Sequence, residues 1–242
     1  MATGFIEASP RRTARVCGGF YLVTIIAGVF AEFFARGTAV VSGNAAATSQ
    51  NILANEQMWR FAFAADIIGD LAYITVTFLL YELLKPVNRG ISLLAAFFSL
   101  VGCAIGGMSG LFHLAPLYWL SGASYLSAFS PAQLQALAYV SVRLHSQGVI
   151  ISLAFFGVYC LLVGYLVYRS TFIPRTVGVL MMLAGVCWLI STFSNFVAPA
   201  FWRAYSDYLN VPCLVGEGGL TLWLLVSGVN PTRWRQQEAF VA

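Results

Sequence analysis

Charge is what this sequence has least of. Only 9% of its 242 residues are Asp, Glu, Lys or Arg, where a soluble domain carries roughly a quarter, so a hydrated surface over most of the chain is excluded. Histidine occurs twice, as His113 and His145. Neither sits in an HExxH motif, and no GxSxG is present, so the signatures of zinc proteases and serine hydrolases are absent. The five cysteines, Cys17, Cys103, Cys160, Cys187 and Cys213, are odd in number, scattered and never in a CxxC pair. That pattern argues against a disulfide framework and a zinc knuckle. The connections KPVNRG (85–90) and RSTFIPR (169–175) are too short to be domains, and no soluble catalytic or nucleotide-binding domain is expected.

Apolar residues fill the chain instead: 60% are hydrophobic and mean hydropathy is +0.81. They fall into six blocks, and a helix needs about 20 apolar residues to cross about 30 Å of hydrocarbon. The spans are expected near 16–35, 59–84, 91–119, 148–168, 176–198 and 211–228. The first run exceeds a usual signal-peptide core and lacks a convincing small-residue cleavage site, so it reads as a span. The expected fold is an all-α polytopic membrane protein, one domain over 1–242.

Basic residues set the expected orientation, because short cytoplasmic loops keep an excess of Lys and Arg. One set of flanks holds Arg11, Arg12, Arg15, Lys85, Arg89, Arg169, Arg175, Arg233 and Arg235; the other holds only Arg36, Arg60, Arg143 and Arg203. Both termini are therefore expected in the cytoplasm. The net charge of +4 is then a topology signal with attraction to anionic lipid heads, and nucleic acid is not an expected partner.

The opposite connections are longer. Residues 36–58 contain the polar run SGNAAATSQNILANEQ, and 130–147 read SPAQLQALAYVSVRLHSQ. In the second, Ser130, Pro131 and Gln133 form a capping box with Pro at the first helical position. Leu134, Leu137 and Leu144 share a face, so an extracytoplasmic interfacial helix is expected to run into the fourth span near Gly148. It would serve as a lid or simply rest on lipid.

Several stretches together resemble the bacterial six-pass membrane family catalogued as domain of unknown function 4386. They are AEFFARGTAVVSGNAAATSQNILANE (31–56), LLYELLKPVNRGISLLAAFFSLV (79–101), FSPAQLQAL (129–137), LHSQGVIISLAFFGVYCLLVGYLVYRS (144–170) and IPRTVGVLMMLAG (173–185). The resemblance covers about residues 15 to 230 and implies a six-helix protein of the bacterial inner membrane. It supplies no activity, cofactor or site residue.

Function must then be sought in the few polar residues inside the spans. In FAFAADIIGDLAYITVTFLLYELL (61–84), Asp66 and Asp70 lie four apart on one face, roughly 9 and 15 Å below the outer end. Tyr73, Thr77 and Tyr81 continue that line, which should avoid lipid because an exposed carboxylate there costs several kcal/mol. Glu32, His113, His145, Asn195 and Glu217 lie at comparable depth toward the outer ends of their spans. This asymmetry points to a polar chamber in the extracytoplasmic half.

Each group also has a plain structural reading. Glu32 and Arg36 have the spacing of a helical ion pair. Arg143 or Arg60 is placed to neutralise Asp66, and the two histidines can be satisfied interfacial residues. Gly102, Gly106 and Gly110 form a small-residue face suited to helix packing, and the glycines around Glu217 either pack or loosen their helix to line a cavity. Asp70 has no basic residue with an obvious route to it, so it is the group able to take up and release a proton.

Three functions remain open. The first is small-molecule or ion binding or transport, proton-coupled through Asp70, with Tyr73 in a hydroxyl relay; no inverted repeat supports it. The second is an intramembrane hydrolase acting on a lipid-like substrate, in which Asp66, Asp70, His113, His145 and Glu217 offer oxygen and imidazole donors that zinc or manganese would accept. No motif requires a cofactor. The third is a non-catalytic membrane subunit or regulator. Membrane lipids and a small-molecule ligand are the expected partners, and oligomeric state is not readable.

Overall fold

The computed structural model describes residues 9–239; the two extreme ends, whose sidedness the basic residues address, lie outside that range. The chain is an all-α, multi-pass membrane bundle with six helices long and apolar enough to span a bilayer, and no strand occurs among the described residues. The spanning helices are α1 (Pro10–Ala39), α3 (Glu56–Leu84), α4 (Arg89–Trp119), α5 (Pro131–Arg169), α6 (Arg175–Val197) and α7 (Pro199–Val226). Two short α-helices lie outside the spans, α2 (Ala45–Ala54) between the first two and α8 (Pro231–Ala239) after the last, and a 3-10 turn at Ser124–Leu126 precedes α5. Large apolar side chains are exposed along the spans, among them Ile26, Phe61, Leu111, Ile190 and Leu222, as expected where the solvent is hydrocarbon.

Local chemistry accounts for the ends. Ser9 Oγ accepts from Arg12 N–H at 3.4 Å and Pro10 takes the first turn, so α1 starts about six residues before the apolar run does. In the predicted capping box, Ser130 N–H donates to Gln133 Oε1 at 2.7 Å and Gln133 N–H to Ser130 Oγ at 3.4 Å. The helix it opens runs through Gly148 into the fourth span, and α5 continues unbroken for 39 residues, about 58 Å of helix.

Some helices extend beyond the apolar blocks. The helix that carries the sixth expected span, 211–228, begins at Pro199 and runs through Pro212. PAFWRAYSDYLN is too polar to register as a span yet forms helix, and the turn around Pro212 keeps a sulfur donor, Cys213 Sγ to Leu209 O at 3.2 Å. In the polar 36–58 connection, Asn44 Oδ1 accepts from Ala47 N–H at 2.9 Å and caps α2. Inside α1, Phe30–Arg36 is a π-helical turn closed by Gly37 N–H to Glu32 O. Such a turn holds one extra residue and rotates the next side chains about the helix axis.

The chain divides into two compact units. Among the described residues, the first comprises 9–22, Ala72–Cys103 and 151–239. Its helices meet through glycine: a Cβ at Gly164 would lie 2.7 Å from Gly178 O, and one at Gly178 would lie 2.7 Å from Gly164 O. Backbones so close leave no room for any side chain there. The α8 helix is pinned by Trp234, 1% exposed, whose Nε1–H donates to Leu83 O at 2.9 Å. Trp234→Phe keeps most of the packing but leaves that carbonyl unpaired. It is expected to cost about 1–2 kcal/mol, read as a lowered unfolding temperature in detergent.

The second unit comprises Val23–Leu71 and Ala104–Ile150. Its apolar core joins Ala39, Ile52, Trp59, Leu117 and Val142, so α2 is folded because Ile52 has an apolar surface to bury. A smaller alanine contact, Ala31, Ala35 and Ala62, brings α1 and α3 together beside the π turn.

Candidate functional site

The second unit gathers most of the polar groups singled out in the sequence. Arg36 stands at their centre. Its Nε lies 2.9 Å from Glu32 Oε2, the predicted helical pair, and its Nη1 and Nη2 donate to Asp66 Oδ2 and Oδ1 at 2.6 and 3.2 Å. The expected partners of Asp66 were Arg143 or Arg60, and this is corrected. Arg60 pairs with Glu56 at 2.7 Å, and Arg143 is exposed. Arg36 comes instead from another helix, where the π turn directs its guanidinium onto Asp66.

Each histidine is held by a backbone carbonyl. His113 Nε2 lies 2.9 Å from Trp59 O and, since a carbonyl only accepts, must donate its proton there. Trp59 returns the contact, its Nε1–H donating to His113 O at 2.7 Å while the two rings stack with centroids 4.2 Å apart. His145 Nδ1 donates to Ser109 O at 2.9 Å. In the neutral rings, His113 Nδ1 and His145 Nε2 are therefore left as lone-pair acceptors. Arg36 Nη1 already approaches His113 Nδ1 at 3.5 Å. Both histidines are buried, and their ring centroids are 5.3 Å apart.

The three potential ligand atoms of Asp66, His113 and His145 lie within 4.8 Å of one another. Two imidazole nitrogens and a carboxylate oxygen make a common ligand set for a catalytic zinc, which leaves a fourth position for water. Ligating histidines usually donate their second nitrogen to a carbonyl or carboxylate, as both do here. Tetrahedral zinc ligands lie about 3.3 Å apart, so the triad would have to contract around an ion.

Asp70 lies in the same unit, one helical turn from Asp66 and half-buried, with no ion pair among the described residues. Its carboxylate faces α4, where a Cβ at Gly106 would lie 3.7 Å from Oδ1 and one at Gly107 would lie 3.5 Å from Oδ2. The glycine face of α4 thus makes room for side chains, since Gly110 similarly receives Phe63 at 3.0 Å. It does not serve as a backbone contact there. Beside Trp59, a cavity of about 250 Å³ is lined by Phe34, Thr38, Asn51, Asn55 and Met58 among others.

Glu217 belongs to the first unit and has partners of its own: Tyr21 O–H donates to Oε2 at 2.8 Å, and Trp188 Nε1–H to Oε1 at 2.7 Å. Tyr73 joins this group, its hydroxyl 3.3 Å from that of Tyr21. The line Tyr73, Thr77, Tyr81 is not a continuous hydroxyl chain, because Thr77 Oγ1 donates back to Tyr73 O at 2.8 Å and meets Ser99 Oγ at 2.6 Å. Asn195 is half-buried in the same unit, and its side chain has no hydrogen-bond partner among the described residues.

Sequence reasoning missed four residues of these clusters: Trp59 and Ser109 behind the histidines, and Tyr21 and Trp188 on Glu217. Trp59 and Ser109 hold the histidines through backbone carbonyls, which any residue supplies, so no side-chain pattern marks them. The others are joined through space alone.

A protein from Archaeoglobus fulgidus (strain ATCC 49558 / DSM 4304 / JCM 9628 / NBRC 100126 / VC-16), described as "Uncharacterized protein", is 28% identical over 155 residues, covering 64% of this chain and 76% of its own length. No solved structure matches the chain. The family model described as Domain of unknown function (DUF4386) matches residues 16–228, including both polar clusters, and the chain belongs to that family.

Proposed function

We propose that this chain is a membrane metalloprotein that holds one divalent ion, zinc or manganese, on Asp66, His113 and His145. In this reading it uses the ion to hydrolyse an ester or amide bond in a lipid-like substrate. The observation that carries the reading is the convergence of those three donors, with each histidine oriented through its second nitrogen by a backbone carbonyl. Bound there, the ion would supply a water molecule acidified to near neutral pH.

The remaining residues have roles set by their positions. Glu32 keeps hold of Arg36 when the guanidinium leaves Asp66, so the cation is not stranded in hydrocarbon. Asp70 is the carboxylate free to hold a proton one turn along from Asp66. The cavity beside Trp59, amphipathic in its lining, suits a substrate with a polar head. The distribution of basic residues supports an orientation with both termini in the cytoplasm and this centre in the outer half of the membrane. The test is elemental analysis of chelator-free protein, and then hydrolysis assays on lipid esters and amides.

The lack of an ion pair on Asp70 favours a second reading, proton-linked transport. Under it, Asp70→Asn abolishes proton flux in liposomes while the protein folds and keeps its metal content. Equal flux through wild type and variant sets this reading aside.

A further inference from the structure

The first unit carries a second concave surface that the metal reading does not use. Two adjoining cavities, of about 750 and 570 Å³, share Thr171 and Arg233; the first adds Arg175, Gln236 and Gln237, and the second adds Arg11. No acidic side chain lines either one, and none of Arg11, Arg175 and Arg233 forms an ion pair among the described residues. In a chain with so few charges, three guanidiniums around one hollow, without an ion pair among the described residues, form a concentrated positive field.

The hollow is built on buried anchors. Phe172 and Ile173 are each 4% exposed, and Asn230 N–H donates to Phe172 O at 3.4 Å. Trp234 fixes α8, which supplies Arg233 and the two glutamines. Gln237 Oε1 accepts from both Thr171 N–H and Thr171 Oγ at 3.0 and 3.1 Å, which leaves its amide nitrogen to donate. The Arg175 side chain lies over a ring face, its Cζ 5.6 Å from the Tyr168 ring centroid. Arg233 Nη1 donates to Thr171 O and Arg11 Nε to Ser227 O, each at 3.3 Å, which positions both guanidiniums while leaving them further N–H groups to donate, and guanidinium forks match phosphate oxygens.

We propose that Arg175 and Arg233, with Gln236 and Gln237, bind a phosphate group. The position favours a phosphate at the membrane surface, because the hollow lies where α5 ends at Arg169 and α6 begins at Arg175, the depth of lipid headgroups. A lipid headgroup and a free phosphorylated solute present the same chemistry.

Full-length, delipidated protein in detergent distinguishes the two sources. Phosphatidylglycerol and phosphatidylcholine are titrated by native mass spectrometry, and inorganic phosphate by thermal unfolding. A lipid site predicts at least about tenfold preference for phosphatidylglycerol, lost in Arg175→Gln and in Arg233→Gln and kept in Arg235→Gln, which lies outside the lining. A solute site predicts no lipid preference but a rise in unfolding temperature with phosphate that Arg175→Gln removes. Arg175→Gln is informative even if Arg233→Gln unfolds, because the Arg175 side chain donates no hydrogen bond among the described residues. Absence of both responses in wild type, or their persistence in Arg175→Gln, overturns the proposal. None of these readouts depends on metal content.

Discussion

Protein purified in mild detergent without chelator is expected to carry about one zinc or manganese ion per chain, and Asp66→Asn, His113→Ala and His145→Ala are each expected to lose it. The reason is chemical. Three donors leave an open fourth position, so removing any one drops the site to two ligands. Loss of a supporting contact alone commonly costs 10–100-fold in affinity, and loss of a ligand should exceed about 100-fold. The informative controls are the acids outside the triad. Glu217→Gln should keep the metal, because its carboxylate is held by Tyr21 and Trp188, and Asp70→Asn should keep it as well. Inductively coupled plasma analysis of the six proteins reads all of this at once. Metal-free wild type that takes up neither ion when it is added would remove the metalloprotein reading and leave the cluster as a structural ion pair.

Substituting Arg36 is expected to act in opposite directions with and without metal. In the structure its guanidinium holds both Asp66 oxygens and approaches His113 Nδ1 at 3.5 Å, so it occupies the acceptors a metal would need. Arg36→Gln in metal-free protein leaves Asp66, whose side chain is 23% exposed, without its cation. Fully buried pairs lose 3–5 kcal/mol when broken, and the partial exposure here reduces that to roughly 2–3 kcal/mol. With metal present the competitor is gone and the local negative charge is greater, so affinity should rise at least about tenfold. Thermal unfolding with and without zinc, alongside a competition titration, measures both effects. A variant that instead binds metal more weakly would mean that Arg36 positions Asp66 as a ligand.

Some of this was legible without coordinates. Six apolar blocks became six spanning helices because hydrocarbon thickness sets a length that composition must meet. The Ser130 and Gln133 capping box and the Glu32 and Arg36 pair were readable because both are local, made between residues three or four apart on one helix. Apolar blocks mark where a helix can cross hydrocarbon and not where the helix ends. Polar α2 is helical through its Asn44 cap and the buried Ile52, whereas the first half of α7 starts without a side-chain cap and is largely exposed.

The candidate site was readable as a list of residues and not as an assembly. Depth comes from counting residues along a helix, and it selected Asp66, Asp70, His113, His145 and Glu217 as a group of donors. Which of them meet is a question of rotation about each helix axis, and a membrane gives little guidance there, since lipid and neighbouring helix are about equally apolar. That rotation was decided by tertiary contacts: the π turn that turns Arg36 onto Asp66, the tryptophan stacked on His113, and the α4 glycines that admit Asp70. Those contacts put Asp66, His113 and His145 together in one unit and gave Glu217 separate partners in the other. Sequence alone determined a six-span membrane protein with its few ionisable groups inside the spans; only packing decided which of those groups face one another.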